Sequence, residues 1–173
     1  MRVLKIEGRG RSPEYVKTVT QIYRQAVNSI CDGTFTKENL ERWNLELGTV
    51  YNRGFWDGYY LGRKMGEWTG KYGSQATRKK IYVGKIMNYF AKSGIAEVKI
   101  EAYPLHTGDE ILILGPTTGV VDEKVKEIWL NDSAVDKVVR GDLCTIPIAT
   151  TLRLSDKLYK WADSKEVKSQ GDD

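Results

Sequence analysis

The sequence is poor in cysteine and histidine. Cys31, Cys144 and His106 are the only such residues among 173. Two thiols cannot build a disulfide framework or a four-ligand metal cage. That excludes the small disulfide-stapled secreted scaffolds and predicts a chain with reduced thiols, at home in the cytoplasm. Long apolar runs are missing as well. No stretch approaches the roughly 20 residues a membrane span needs, so no membrane partner is expected. The opening MRVLKIEGRGR carries no apolar signal-peptide core.

What is present is unevenly distributed. Apolar residues make up 40%, enough in a chain of this length to bury a real core. The net charge of +4 hides two halves. Residues 1–80 hold 15 basic and 8 acidic side chains, whereas 81–173 hold 12 and 15. Trp43, Tyr51, Phe55, Trp56, Tyr59, Tyr60, Trp68 and Tyr72 crowd one stretch of the basic half. The chain reads as composite.

Met1 to Glu7 alternates and predicts a short strand. After the flexible Gly8-Arg9-Gly10-Arg11, Ser12-Pro13-Glu14 predicts a helix start: Ser12 as cap, Pro13 at the first position, Glu14 at the positive end. Apolar residues recur from Tyr15 to Ile30 at helical spacing, and Asp32-Gly33 ends the run. A second helix is expected from the cap residue Thr36 to Gly54. Glycines 54, 58, 62, 66, 70 and 73, set among rings and cations, then predict an irregular connector. Beyond Lys79 the period switches to two. Strands are expected at Lys80 to Tyr89, Ile95 to Ala102, Glu110 to Leu114, Gly119 to Leu130 (bent or bulged), Leu143 to Pro147 and Lys157 to Trp161. Six short strands at this spacing suggest a small closed barrel or sandwich. The polar tail from Asp163 is expected to be disordered.

A lone strand followed by a helix needs parallel neighbours, and this chain supplies none. Residues 1–50 therefore read as the last βα piece of something larger. Leu4-Lys5-Ile6-Glu7-Gly8-Arg9, with Arg11-Ser12-Pro13-Glu14-Tyr15-Val16 and Ile22-Tyr23-Arg24, resembles the closing strand and helix of the catalytic barrel in peptidase family U32, the collagenase-like proteases. Val50-Tyr51-Asn52-Arg53-Gly54-Phe55 and Gly58-Tyr59-Tyr60-Leu61-Gly62 look like that family's linker. Gly108-Asp109-Glu110, Leu114-Gly115-Pro116 and Arg140-Gly141-Asp142-Leu143 look like its C-terminal β-barrel. The β-barrel also resembles the second domain of Tu-type elongation factors.

The resemblance implies an α+β chain. Residues 1–53 would be the terminal strand and helices of an incomplete α/β barrel, 54–75 a Gly/aromatic/basic linker, 76–162 a small antiparallel β-barrel and 163–173 a tail. It further implies that most of the catalytic barrel lies outside this sequence. Some members resemble iron–sulfur proteins that act in hydroxylating RNA bases; Cys31 and Cys144 match none of their four cysteine ligands, so no cofactor is expected in this chain, and an iron–sulfur cluster would belong to the missing N-terminal part. The whole reads as the C-terminal portion of a collagenase-like peptidase or a transfer-RNA hydroxylation protein, with its β-barrel as an accessory substrate- or RNA-binding module. The alternative is a non-enzymatic interaction module that completes its barrel with a separate N-terminal subunit, or self-associates through the unpaired strand.

Two residue sets carry the binding expectations. Glu7, Arg9 and Arg11 would lie at the C-terminal edge of a barrel strand, where such barrels keep their substrates. Arginine there suits phosphate or carboxylate, but the same residues fit a solvated loop before a capped helix. Arg53, Tyr59, Tyr60, Arg63, Lys64, Arg78, Lys79 and Lys80 combine cations for phosphates with rings for bases, a composition that suits single-stranded RNA. The same rings could instead pack the linker on its neighbours. No catalytic residue is assigned. His106 sits in a turn with no serine or cysteine at recognisable spacing, and Cys144 reads as a small core residue.

Overall fold

The structure, a computed structural model, describes residues 3–55 and 74–164. They belong to two compact units, with the division between Arg78 and Lys79. Most of the expected linker, and the tail from 165 onward, lie outside the described residues.

The first unit is built on two helices, α1 (Pro13–Cys31) and α2 (Lys37–Thr49). Ser12 caps α1 through its backbone alone: its carbonyl accepts from Tyr15 and Val16, and its side chain makes no cap bond. Pro13, which has no N–H to satisfy, lightens the demand at that end. At the other end Gly33, at φ +67°, reverses the chain while Thr34 N–H bonds back to the Ser29 carbonyl. Thr36 starts α2 as expected, its Oγ1 accepting from Asn39 N–H at 3.2 Å. Val19 and Ile22 of α1 are buried, as are Trp43 of α2 and the adjoining Val50. Trp43 Nε1 donates to Gln25 Oε1 at 2.9 Å, so the one polar atom of that ring is satisfied.

Two expectations for this unit need correction. Residues 3–7 are in no strand. A strand exists through its ladder, and among the described residues none is available to pair with it. α2 also stops at Thr49 rather than Gly54. Val50 turns extended, and Asn52 explains why the helix does not resume. Its Nδ2 donates to the carbonyls of Gly48 and Val50, and its Oδ1 accepts from Gly54 N–H. A short amide side chain that bonds its own backbone competes with helix.

The second unit holds ten strands: β1 (Arg78–Phe90), β2 (Ile95–Ile100), β3 (Leu105–His106), β4 (Glu110–Gly115), β5 (Gly119–Lys124), β6 (Ile128–Leu130), β7 (Ser133–Val135), β8 (Lys137–Val138), β9 (Leu143–Pro147) and β10 (Lys157–Asp163). Eight form one sheet in the order β5-β4-β10-β1-β2-β9-β6-β7, and β3 pairs with β8. The pairs with assigned register are antiparallel. One apolar cluster takes Val121 from β5 and Ile128 from β6, near opposite ends of the sheet, together with Leu105 and Val138 from the small sheet. The sheet is therefore curled about a single core, a barrel-like solution that hides strand faces. The alternation of β2 shows the logic: Ala96, Val98 and Ile100 are buried while Ile95, Glu97 and Lys99 are only half-buried.

The expected bend within Gly119 to Leu130 is a break between β5 and β6. Asn131 and Asp132, both at positive φ, then close the tight β6–β7 hairpin. The strands the sequence pattern did not announce, β3, β7 and β8, are two or three residues long and too short to show a period. No helix among the described residues is long and apolar enough to cross a membrane.

Candidate ligand-binding site

The residues expected to face a ligand in the first unit begin in a tight turn. The Gly8 carbonyl accepts from Arg11 N–H at 3.0 Å, and Gly10 supplies a φ of +68°. Glu7 is part of this turn's scaffold: its Oε1 accepts from the Arg9 N–H at 2.8 Å. Its carboxylate thus serves the backbone rather than pairing with the Arg9 guanidinium. Arg9 itself is exposed.

Arg11 leaves the turn to meet an aromatic ring. Its Cζ lies 4.0 Å from the centroid of Tyr51 and 5.8 Å from that of Tyr15. Arg53 reaches the same Tyr51 from its polar end, with Nε donating to the hydroxyl oxygen at 2.9 Å. The Arg53 hydrogen bond, helped by Arg11, holds the Tyr51 hydroxyl below the ordinary tyrosine pKa. Two arginines assigned to different roles in the sequence are thus gathered on one side chain.

The second unit has a different polar cluster. Lys79 is exposed at the start of β1, and Lys80 Nζ lies 5.1 Å from the centroid of the Tyr159 ring. Tyr159 and Tyr82 meet edge to face at 5.5 Å. Tyr82 donates to Glu101 Oε2 at 2.6 Å, and Lys85 Nζ lies 2.9 Å from Glu101 Oε1. Partial burial and then the Glu101 carboxylate push Tyr82 up to about 12. Glu101 moves the other way, lowered first by the Tyr82 hydrogen bond and then by Lys85. Arg78 opens β1. Tyr59, Tyr60, Arg63 and Lys64 lie outside the described residues.

Asp109 and Cys144, two groups with catalytic potential, have structural employment. Asp109 Oδ2 accepts from His106 backbone N–H at 2.9 Å and lies 3.7 Å from its Nδ1 and 3.8 Å from Lys160 Nζ. That carboxylate shapes the 106–109 turn. Cys144 is 1% exposed, and burial pushes its thiol up to about 11, which suppresses thiolate at neutral pH. An iron–sulfur cluster needs several thiolates. A core cysteine in β9 and Cys31 at the end of α1 do not fit one. No group of three or more His, Cys, Asp or Glu among the described residues is placed to hold a metal ion.

The second unit also has a groove of about 280 Å³. Ile95, Trp129, Leu143 and Pro147 line it, with Glu127 and Asp132 supplying charge. Trp129, opposite Thr145 in the β6–β9 register, is 42% exposed, which is high for so large an apolar ring.

Tyr51, Tyr82 and Tyr159 were missed as organising residues by sequence reasoning. Tyr51 had a signal, because it lies two residues from Arg53. Nothing in the linear order connects it to Arg11.

Comparison with known proteins finds relatives by sequence and by structure. Residues 1–70 match the family described as Peptidase family U32. Over 96% of its length the chain is 53% identical to a collagenase of Porphyromonas gingivalis, covering 40% of that protein. It is 27% identical to tRNA hydroxylation protein P1 of Bacillus subtilis, with 75% of this chain matched to 30% of that one. A solved C-terminal domain of a candidate U32 peptidase from Geobacillus thermoleovorans superposes with a TM-score of 0.44 at 21% identity, covering 46% of this chain and 90% of that domain. Residues 1–70 are thus similar to U32-family sequence, and the described residues are of α+β class. The chain spans less than half the length of the collagenase relatives it matches.

Proposed function

We propose that this chain is a ligand-engaging part of a U32-family protein, and that its ligand is RNA. The observation that carries this reading is the placement of cations beside tyrosines: Arg11 and Arg53 on Tyr51 in the first unit, and Lys80 on Tyr159 in the second. Cations meet phosphates and rings stack bases, which is how single strands are bound without a deep pocket. The similarity to a tRNA hydroxylation protein supports the same direction. The burial of Cys144 and the structural use of Asp109 support a binding rather than a hydrolytic role for the described residues. Cleavage of collagen-like substrates, suggested by the collagenase relative, then belongs to the remainder of a longer protein.

The test is a titration of transfer RNA into the full chain, followed by fluorescence anisotropy from low to physiological salt. Binding that weakens linearly in log salt supports the reading. No binding at low salt would falsify it. A parallel gelatin digestion is expected to show no cleavage.

A second reading rests on α1. Val16, Tyr23, Val27 and Ile30 follow helical spacing and are exposed, with Ile30 at 65%. In this reading that stripe and residues 3–7 receive the rest of an α/β barrel, supplied by a longer chain or a separate subunit; a second copy of this chain is the remaining occupant. The shortfall in length against the relatives supports the first two. Sedimentation and hydrogen exchange test it. A monomer with residues 3–30 strongly protected counts against any such docking.

A further inference from the structure

We propose that Arg11 and Arg53, held about the Tyr51 ring, form a clamp for one phosphate group. The proposal deepens the RNA reading by naming where in the first unit the backbone is gripped, and it rests on that reading for the source of the phosphate.

The geometry is specific. Arg11 lies over the ring with its Cζ 4.0 Å from the centroid. Arg53 engages the hydroxyl oxygen through Nε at 2.9 Å. The first contact uses a face and the second a single N–H. Most of the N–H donors of the two forks therefore remain for a ligand. Two like charges against one phenol repel each other, and neither guanidinium forms an ion pair among the described residues. An anion seated between them relieves that repulsion.

The supports are also local and fixed. The turn closed by Arg11 N–H and the Gly8 carbonyl sets where Arg11 leaves the chain. The Asn52 bonds to Gly48, Val50 and Gly54 set the path of Tyr51 and Arg53. Phosphate fits this arrangement better than carboxylate. A planar carboxylate is satisfied by one guanidinium fork, whereas the tetrahedral oxygens of phosphate accept from two forks at once.

The experiment uses the full chain with three probes: a labelled single-stranded oligonucleotide, inorganic pyrophosphate and a glutamate-rich peptide. The variants are R11Q/R53Q, R11K/R53K and K79Q/K80Q, each checked by thermal melting. R11Q/R53Q is expected to weaken oligonucleotide binding about tenfold and to lower the log–log salt slope by about 0.7, the value for one phosphate on a single strand. R11K/R53K keeps the charge but loses the forks, and should regain less than half of that affinity. Pyrophosphate should compete and the peptide should not.

The outcomes separate the clamp from the broader reading. If R11Q/R53Q binds as tightly as the parent while K79Q/K80Q weakens binding, the clamp is wrong and the RNA reading survives. If oligonucleotide is not bound but pyrophosphate is, and only the Arg11 and Arg53 variants lose it, the clamp serves free phosphate and the RNA reading is wrong. Equal competition by the peptide, or full recovery in R11K/R53K, overturns phosphate selectivity. Loss of all three probes without any effect of the variants overturns the proposal entirely.

Discussion

Gly115 and Asp156 lie 41 positions apart in sequence yet cannot be varied independently. Asp156 is 2% exposed, and its Oδ2 accepts from Thr118 Oγ1 at 2.5 Å and Arg153 N–H at 2.9 Å. The carboxylate ties the β4–β5 hairpin to the turn before β10. A Cβ added at Gly115 would overlap that carboxylate. Hydrogen bonds to a charged acceptor contribute about 1.5–3 kcal/mol each, so D156A should cost about 4 kcal/mol. In G115A the new methyl displaces the carboxylate from the same partners and adds overpacking, again about 4 kcal/mol. In the double variant the methyl occupies space the carboxylate has left. The double should therefore cost about 5 kcal/mol rather than 8, a coupling of about 3 kcal/mol. Urea unfolding of the four proteins, followed by circular dichroism, measures the cycle. Additive costs would show that Gly115 is required for some reason other than Asp156, and the argument would fail.

Other perturbations are simpler. The folded chain retains the Cys144 proton to about pH 11 and the Tyr82 proton to about 12, against ordinary values of 9.0 and 10.0. The contribution of these groups is complete below about pH 9 and is lost as pH rises through those values. C144A and Y82F should each flatten part of that alkaline decline in a pH series of urea midpoints; an unchanged slope would contradict the burial argument. T36A should cost about 1 kcal/mol, read from thermal melts, because Asn39 N–H loses its cap. W43A should cost about 3–5 kcal/mol and lower helical dichroism, since that ring is buried and its Nε1 bonds Gln25 of α1. G84A should be worse tolerated than a typical strand glycine substitution, because its methyl runs into the Lys99 carbonyl, part of the backbone.

Local chemistry was the legible part of this chain. Pro13, Thr36 and Gly33 announced helix ends because each acts on its own few residues. Period-two alternation located β1, β2, β4, β9 and β10 because each is five residues or longer. Residues 3–7 alternate as well, yet they form no strand, because alternation describes a side-chain pattern and a ladder requires a neighbour. The extension of α2 to Gly54 failed on the Asn52 side chain, whose bonds to nearby backbone outweigh the weak preference of a short segment for helix. The candidate site was legible in its residue types but not in its grouping. Arg11 and Arg53 looked like members of two sites because only the fold of the first unit brings them to Tyr51.

The partner chosen for a cation decides what that cation can still do. Lys85 faces Glu101 at 2.9 Å, and Lys160 donates to the Pro104 carbonyl at 2.9 Å with Asp109 nearby. Those charges are largely answered within the fold. Tyr51 instead holds Arg11 through a ring face, a contact that leaves the positive charge in place. An aromatic holder thus fixes position without neutralising, and a carboxylate holder does both. Anion binding should therefore be sensitive to Arg11 and indifferent to Lys85. K85Q, compared with R11Q in the same oligonucleotide titration, should leave both the affinity and the salt slope close to the parent values. A K85Q loss equal to that of R11Q would mean that net charge alone governs binding, and that the tyrosines have no part in placing it.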